Sequence, residues 1–235
     1  MKKDILIPKD TSEITIGEFE QFLEIQKLDT NELDKLIKTV SLFTNLSVSE
    51  CAKIKPDSLL VLVDKITTAL DTTPNLPLSH YNIEQHRFYF DYENITIGEY
   101  IDALAMLNLE ESKISRFTGI FLRKSYKHTS EVEKRSQIAL KVPYSAFIEL
   151  SKQFVKLNED IQSNFSNLYA DSGGGSDKLK SQRQLLHEKW GWYISLHKLC
   201  NSDITKLNSI TELNLWEVMT WLSYEADVDS IRAND

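Results

Sequence analysis

Cysteines and long apolar runs are scarce in this sequence. The 235 residues include two cysteines, Cys51 and Cys200, too few for the disulfide framework of a small secreted protein, so a reducing cytoplasm is expected. The longest unbroken apolar run, Leu59 to Val63, is far shorter than the roughly 20 residues that span a bilayer. The N-terminus begins like a signal peptide, but its apolar stretch of Ile5 to Ile7 is too short for one. A secreted or membrane-spanning protein is therefore not expected, and no membrane partner is predicted.

Positive charge is also in short supply. Lys and Arg total 27 against 35 Asp and Glu, which gives a formal net charge of −8. A field of that sign repels phosphate backbones, so no nucleic-acid partner is predicted. Hydrophobic residues make up 41% of the chain and charged residues 26%, as in globular proteins that bury a core.

Helix-breaking residues are few, and the apolar spacing is mostly helical, which predicts a mainly α fold. The clearest helix is predicted over 144–170, where apolar residues recur every three or four positions from Phe147 to Leu168. This helix is either the scaffold on which other helices pack or half of a coiled coil. The predicted helices are 16–28, 30–43, 47–53, 57–70, 97–108, 111–124, 130–139, 144–170, 178–199 and 214–228.

Strand signals are confined to two short segments. Asp4 to Ile7 is ended by Pro8, and Arg87 to Tyr92 has aromatic residues at alternate positions. The two segments are predicted to pair as a minor two-stranded β element. The reason is that each precedes one copy of a repeated hexapeptide, which occurs at 14–19 and again at 95–100. The segment 71–86 is predicted to be irregular.

One low-complexity stretch divides the chain. Residues 172–176 read Ser-Gly-Gly-Gly-Ser, a composition typical of a flexible linker. These glycines do not form a phosphate-binding loop, because no Lys-Ser or Lys-Thr pair follows them and no predicted strand precedes them. The predicted domains are a helical body over 1–171, this Gly-Ser linker over 172–176, and a short C-terminal helical extension over 177–235.

The repeated hexapeptide occurs twice with almost no change. Ile-Thr-Ile-Gly-Glu-Phe at 14–19 recurs as Ile-Thr-Ile-Gly-Glu-Tyr at 95–100. In each copy a threonine stands three residues before a glutamate, which is the spacing of a capping box at a helix start. We therefore expect these residues to cap helices rather than to act as acids or bases. The predicted structural caps are Thr15, Glu18, Thr96 and Glu99.

The sequence contains no arrangement of catalytic or metal-binding residues. Its five histidines lack a second histidine or cysteine at zinc-site spacing, and there is no Gly-x-Ser-x-Gly motif or dinucleotide-binding glycine pattern. Cys51 lies in a predicted amphipathic helix, which favours a buried structural thiol. We therefore expect no enzyme, no catalytic residue, no cofactor and no metal, with a small cytoplasmic enzyme as an alternative.

The four tryptophans all lie in the predicted C-terminal extension. Trp190 and Tyr193 are expected on the apolar stripe of their helix, with Trp192 on its flank. Trp216 is expected off the apolar stripe of the last helix, with Trp221 at its margin. These residues either pack the extension or form a partner-binding surface, since Trp and Tyr dominate interaction hot spots. The hypothetical partner-binding residues are Trp190, Trp192, Trp216 and Trp221.

The end of the chain is acidic. From Glu212 to Asp235, six acidic residues stand against Arg232 alone. An acidic helix that carries tryptophan suits a basic, amphipathic protein partner, although acidic tails are also often only solubilising.

Short motifs along the chain resemble those of a known family. They are Ile-Leu-Ile-Pro at 5–8 with the first hexapeptide, Phe90-Asp91 with the second, Lys-Trp-Gly-Trp-Tyr at 189–193, Asp-Ile-Thr-Lys at 203–206 and Leu-Asn-Leu-Trp-Glu-Val at 213–218. The pattern is similar to virion-morphogenesis proteins of tailed bacteriophages, including crAss-like phages and relatives that infect Bacteroidetes. The stretch 116–124 departs from it, with Gly119-Ile120 where an Arg-Pro step is expected.

The resemblance implies a non-enzymatic protein similar to a tail assembly chaperone. Such a protein binds another phage structural protein, for example the tape-measure protein or a tail or neck subunit, during assembly in the cytoplasm of the infected bacterial host. The alternative left open is a permanent virion component of the tail, baseplate or neck. A homo-oligomer is compatible with both.

Overall fold

A computed structural model describes residues 4–75, 81–83, 86–91, 93–108, 114–123, 132–168 and 189–234. Most of these residues are helical, which confirms the predicted mainly α class. The α-helices are α1 (Ile16–Lys27), α2 (Glu32–Phe43), α3 (Val48–Cys51), α4 (Pro56–Asp71), α5 (Ile97–Asn108), α6 (Ile114–Phe121), α7 (Val132–Ala139), α8 (Tyr144–Asn164), α9 (Trp192–Leu199), α10 (Leu207–Thr211) and α11 (Leu215–Asn234). Short 3₁₀ turns cover Ser166–Leu168 and Ile204–Lys206.

Three short strands form the β element, and their pairing differs from the prediction. The strands β1 (Tyr81–Ile83), β2 (His86–Phe90) and β3 (Leu122–Arg123) are antiparallel in the order β1-β2-β3. The predicted strand at 87–92 therefore exists in large part as β2. Its neighbour β1 lies inside the segment that was predicted to be irregular.

The predicted strand at Asp4 to Ile7 is wrong. These residues adopt no strand, because a side chain rather than another strand satisfies their backbone. The Leu6 N–H donates to Asn45 Oδ1 at 3.2 Å, and Asn45 Nδ2 donates to the Asp4 carbonyl at 3.0 Å. One asparagine amide thus takes the place of a ladder partner, so β2 does not pair with this segment.

The chain divides into two compact units. Unit 1 comprises Met1–Phe90 and Glu110–Lys152, and unit 2 comprises Asp91–Leu109 and Gln153–Asp235. The predicted linker at 172–176 lies outside the described residues, so that boundary stays a prediction. The grouping itself differs from the predicted body and extension, because 93–108 and 153–168 belong with the C-terminal helices.

The described residues of unit 1 include two groups of buried apolar side chains. The first lies among α1 to α4, because α2 and α4 are amphipathic and turn one apolar face inward. Its members are Ile14, Val40, Phe43, Leu46, Cys51, Leu59, Ile66 and Ala69. The second group brings the strands together with the residues around α7. Its members are Ile16, Ile83, Leu122, Ala139, Val142 and Ala146.

Both ends of α6 are satisfied by side chains from elsewhere in unit 1. At its start, Glu20 Oε1 accepts a hydrogen bond from the Ser115 N–H at 2.7 Å, so a carboxylate occupies the positive end of the helix dipole. At its end, the buried Arg123 and Arg135 both donate to the Ile120 carbonyl, at 2.7 and 3.0 Å. Cations at a helix C-terminus stabilise carbonyls that have no partner within the helix.

The predicted apolar stripe of α8 is buried. Leu150, Phe154, Leu157 and Ile161 are all at most 7% exposed, whereas Phe147 and Phe165 are partly buried. The stripe therefore lies in the interior of the protein and does not form the exposed seam of a coiled coil. The helix ends at Asn164, six residues before the predicted end.

The buried side chains of unit 2 come mainly from α5, the C-terminal part of α8, and α11. Tyr100 connects α5 to α8, because its hydroxyl donates to Asn158 Oδ1 at 2.7 Å and its ring centroid lies 5.8 Å from that of Phe154. The buried apolar side chains of this unit include Ile95, Ile97, Phe154, Ile161, Leu215, Val218, Met219 and Leu222.

Candidate protein-interaction surface

The two hexapeptides begin helices with the same capping geometry. The Glu18 N–H donates to Thr15 Oγ1 at 3.2 Å, and the Thr15 N–H donates to Glu18 Oε2 at 2.7 Å. In the second copy, both reciprocal bonds between Thr96 and Glu99 measure 3.2 Å. The four predicted cap residues therefore satisfy the first backbone groups of α1 and α5, as the sequence predicts.

Each hexapeptide also pairs with the backbone at the start of another helix. In unit 1 the Ile16 N–H donates to the Val142 carbonyl at 2.9 Å, and the Tyr144 N–H donates to the Ile14 carbonyl at 2.7 Å. In unit 2 the Ile97 N–H donates to the Leu213 carbonyl and the Leu215 N–H to the Ile95 carbonyl, both at 3.0 Å. We name each such pairing a joint: joint 1 joins the starts of α1 and α8, and joint 2 joins the starts of α5 and α11.

The glycine of each hexapeptide allows the two backbones of a joint to approach. A Cβ added at Gly17 would lie 3.0 Å from the Leu140 carbonyl oxygen, and one added at Gly98 would lie 2.9 Å from the Thr211 carbonyl oxygen. Both distances are too short for an ordinary side chain. The shared motif is therefore explained by helix capping and by the close approach of the two backbones.

Two of the four tryptophans pack within unit 2. The Trp192 ring lies edge-on to Tyr100, with centroids 5.7 Å apart, and is partly buried. The Trp216 ring lies 6.2 Å from the ring of Phe165 and is also partly buried. Trp216 lies off the buried stripe of its helix, as predicted. It nevertheless packs against Phe165.

The predicted apolar stripe through Trp190 and Tyr193 is wrong. Gly191 has a positive φ of 47° and interrupts the helical backbone, so α9 begins only at Trp192. The phase of the helix predicted over 178–199 is therefore lost at this point. Trp190 is 49% exposed and Tyr193 63% exposed, and their rings contact each other at 6.4 Å between centroids.

The helix α11 has two apolar faces on opposite sides. The apolar spacing predicts one face with Leu215, Val218, Met219, Leu222 and Ala226; the first four of these are buried and Ala226 is partly buried. The opposite face contains Trp221, Tyr224, Val228 and Ile231, which we name the outer stripe. Trp221, Tyr224 and Ile231 are each more than half exposed, and Val228 is partly exposed.

Of the outer stripe, only Trp221 was among the residues predicted to bind a partner. The signal for the other members is present, because successive members are three, four and three residues apart, which places them on one side of a helix. It was obscured by the stronger pattern of the buried face on the same helix.

Acidic side chains outnumber basic ones on α11. Glu217, Glu225, Asp227 and Asp229 belong to α11, where the only basic residue is Arg232. From α9, Lys198 Nζ lies 2.8 Å from Asp229 Oδ2 and 3.2 Å from Glu225 Oε2. The hydrogen bond to Asp229 is the main cause that raises the pKa of Lys198 above its ordinary value. One ammonium group thus compensates part of the acidic charge on one flank.

The orientation of Trp221 is fixed by its own helix. Its Nε1–H donates to Glu225 Oε1 at 3.0 Å, one turn further along, and its ring lies 6.1 Å from that of Tyr224. A second contact holds the helix nearby, where Asn167 Nδ2 donates to Asp227 Oδ1 at 2.7 Å. Trp221 therefore has a hydrogen-bond partner and a ring contact on its own helix although its side chain faces solvent.

Within the described ranges, no three His, Cys, Asp or Glu side chains are grouped so that they could hold a metal ion. Cys51 and Cys200 are both buried, and neither forms a disulfide. Among the same residues, no helix has the length and apolar character needed to cross a membrane.

Comparison with protein-family models, with curated proteins and with solved structures gives no match to this chain.

Proposed function

We propose that this chain is a non-enzymatic protein that binds a protein partner through the outer stripe of α11. One observation carries the proposal: a helix whose buried face already packs in unit 2 has a second apolar face with Trp221 and Tyr224 exposed. Exposed aromatic side chains gain free energy when a partner removes them from water, and Trp and Tyr are the commonest anchors of interfaces.

The hydrogen bond that positions the Trp221 side chain supports this role. A side chain held by its hydrogen bond to Glu225 loses little conformational entropy when a partner covers it. Trp221 is therefore the central anchor that we propose, with Tyr224 beside it. Trp190 is exposed but lies outside α11 and is not part of the proposed binding surface, whereas Trp192 and Trp216 contribute to the packing of unit 2.

We further propose that the partner is another phage structural protein and that the chain acts as a tail assembly chaperone-like protein during virion assembly. This part rests on the resemblance of the hexapeptides and the tryptophan motifs to virion-morphogenesis proteins of tailed phages. The protein would then act in the cytoplasm of the infected bacterial host. A partner among the tape-measure, tail or neck proteins fits the acidic, aromatic character of α11.

The experiment is a pull-down of tagged full-length chain from infected cells, with quantitative mass spectrometry of the phage proteins recovered. Trp221→Ala is expected to lose the phage partner. Trp190→Ala is the matched control, because it removes an exposed tryptophan outside α11, and it is expected to retain that partner. Recovery of the same phage proteins with Trp221→Ala, or of none with the wild type, would contradict the proposal.

Mass spectrometry of purified virions separates the chaperone from its alternative. A chaperone is expected to be absent from the particles. A fixed copy number in every particle would instead identify a component of the tail, baseplate or neck.

A further inference from the structure

We infer that the outer stripe is built for an amphipathic helix of a different protein, with basic residues beside the partner's apolar seam. The inference rests on the proposed function, because it uses the same surface, and it adds the shape and charge of what binds there.

The spacing of the outer stripe indicates a helical partner. Trp221, Tyr224, Val228 and Ile231 follow the three-four-three spacing of the two seam positions of a heptad repeat. Side chains in this arrangement receive the knobs of a second helix packed at a small crossing angle. The stripe extends over about 15 Å of helix, which corresponds to almost three turns of a partner.

An extended strand would fit this surface less well. A strand that adds to another protein needs a free sheet edge for its backbone hydrogen bonds, whereas every backbone group along the middle of α11 is used within the helix. The contacts available to a partner are therefore side chains at helical spacing.

The charge of the surface indicates a basic partner. Asp227 stands beside Tyr224 and Val228 at a flanking position of the heptad, and Glu217 continues the stripe one turn before Trp221. Among the described residues, neither Glu217 nor Asp227 takes part in an ion pair, whereas Glu225 and Asp229 share Lys198. Flanking charges of this kind select the partner and its orientation more than they add affinity.

A second copy of the chain is a poorer occupant than a basic helix. It would bring another helix with four acidic residues and one basic residue, on a chain with a net charge of −8. Like charge lowers the encounter rate and opposes association, whereas a basic helix is attracted to the same surface.

The test uses the full-length chain and synthetic helical peptides of about three heptads with leucine at both seam positions. One peptide has lysine at the positions that flank the seam and the other has glutamate. A third contains the residues of the lysine peptide in scrambled order. Calorimetric titration of each peptide measures affinity at low and at moderate salt.

The lysine peptide is expected to bind at least about tenfold more tightly than the glutamate peptide, and its binding should weaken as salt is added. Trp221→Ala should abolish the binding, whereas Trp190→Ala should leave it unchanged. The double variant Glu217→Gln with Asp227→Asn should reduce the affinity for the lysine peptide several-fold and flatten its salt dependence. The scrambled peptide should not bind, because it has the charge without the seam.

Four results would overturn the inference. They are equal binding of the lysine and glutamate peptides, no binding of either, binding of the scrambled peptide as tight as that of the lysine peptide, and a wild-type dimer in sedimentation that Trp221→Ala converts to monomer. The last result would assign the outer stripe to a second copy of the chain. The pull-down from infected cells tests the proposed function separately, because a phage partner lost with Trp221→Ala keeps that function even when the peptides fail.

Discussion

The side chain of Asn214 bonds to the backbone of Glu93, with Asn214 Nδ2 donating to the Glu93 carbonyl at 3.1 Å. The same amide accepts a hydrogen bond from the Trp216 N–H through its Oδ1 at 2.9 Å. Asn214 therefore caps the start of α11 and at the same time fastens it to the residues just before α5. At the matching position of joint 1 stands Pro143, whose side chain has no group that can form either bond.

Asn214→Ala is expected to destabilise the chain, because it removes the cap of α11 and the bond to Glu93 together. The loss of a helix cap costs about 1 kcal/mol of unfolding free energy, and the second hydrogen bond adds about as much. Urea denaturation monitored by circular dichroism measures the change. Asn214→Asp is the control, because it keeps the cap acceptor and should cost less. If both variants lose the same unfolding free energy, the side-chain oxygen at position 214 does not contribute as a cap acceptor.

Gly98→Ala is expected to destabilise the chain because its Cβ would collide with backbone at 2.9 Å. Overpacking of this kind costs about 1–3 kcal/mol. Gly17→Ala, with 3.0 Å available, should cost somewhat less. The matched control on α5 is Leu107→Ala at an exposed position, expected to change stability by no more than about 0.5 kcal/mol. A Gly98→Ala variant as stable as the wild type would contradict the close approach of joint 2.

Phe154→Ala tests the burial of the α8 stripe. Phe154 is 1% exposed, and truncation of a buried phenylalanine costs about 3–5 kcal/mol. Its neighbour Val155 is 55% exposed, so Val155→Ala is expected to cost far less. Comparable denaturation midpoints for the two variants would mean that the buried face of α8 has been assigned to the wrong side.

Trp216→Ala and Trp221→Ala are expected to differ in their effect on stability. Trp216 packs on Phe165, so its loss should lower the unfolding free energy by about 2 kcal/mol, less than for a fully buried aromatic residue. Trp221 is 56% exposed, so its loss should change stability by about 0.5 kcal/mol or less. Trp216→Ala is therefore unsuitable as a binding probe, contrary to what its position off the buried stripe suggested. Thermal denaturation of both variants measures this, and the reverse order would refute the assignment.

Lys198→Met is expected to cause a small loss of stability that depends on pH. The hydrogen bond to Asp229 raises the pKa of Lys198 in the folded chain above the ordinary value of 10.5. Its stabilisation is therefore present at neutral pH and is lost as the pH rises through the raised pKa. The side chain is 47% exposed, so solvent screening limits the effect to about 1 kcal/mol or less.

Denaturant titrations of wild type and Lys198→Met across neutral and alkaline pH check this prediction. The difference in unfolding free energy between the wild type and Lys198→Met should be largest below pH 10.5. At low pH this difference should shrink only when the acidic partners of Lys198 take up protons. Added salt should narrow it at neutral pH. A gap that persists unchanged at strongly alkaline pH would mean that the contribution of Lys198 comes from packing of its alkyl chain.

The features that the sequence predicted correctly depend on neighbouring residues. Thr15 and Glu18 are three positions apart, so the capping box follows from local spacing alone. The same holds for the buried faces of α8 and α11, since a helical period of 3.6 residues determines which side chains share a side. Tertiary contacts left these local patterns unchanged.

The features that the sequence did not predict depend on residues far apart in the chain. The backbone of Ile16 pairs with that of Val142, and the backbone of Ile97 with that of Leu213. These hydrogen bonds join main-chain atoms, so the side chains at these positions do not identify the distant partner. The absent strand at Asp4 to Ile7 has a similar origin, because Asn45 satisfies that backbone from a distance of about forty residues. The error at Trp190 has a local cause, because a glycine with positive φ interrupts the helical phase.

Joint 2 also constrains the rotation of α11 about its own axis. Because α11 has apolar side chains on two opposite sides, hydrophobic burial discriminates less between the two orientations than it does for a helix with one apolar face. The bonds between Ile95 and Leu215 and between Ile97 and Leu213 hold the first residues of the helix at a fixed rotation about its axis. A half-turn of the helix would break both bonds. The main chain at the start of α11 thus contributes to keeping Trp221 and Tyr224, rather than the residues of the buried face, in water.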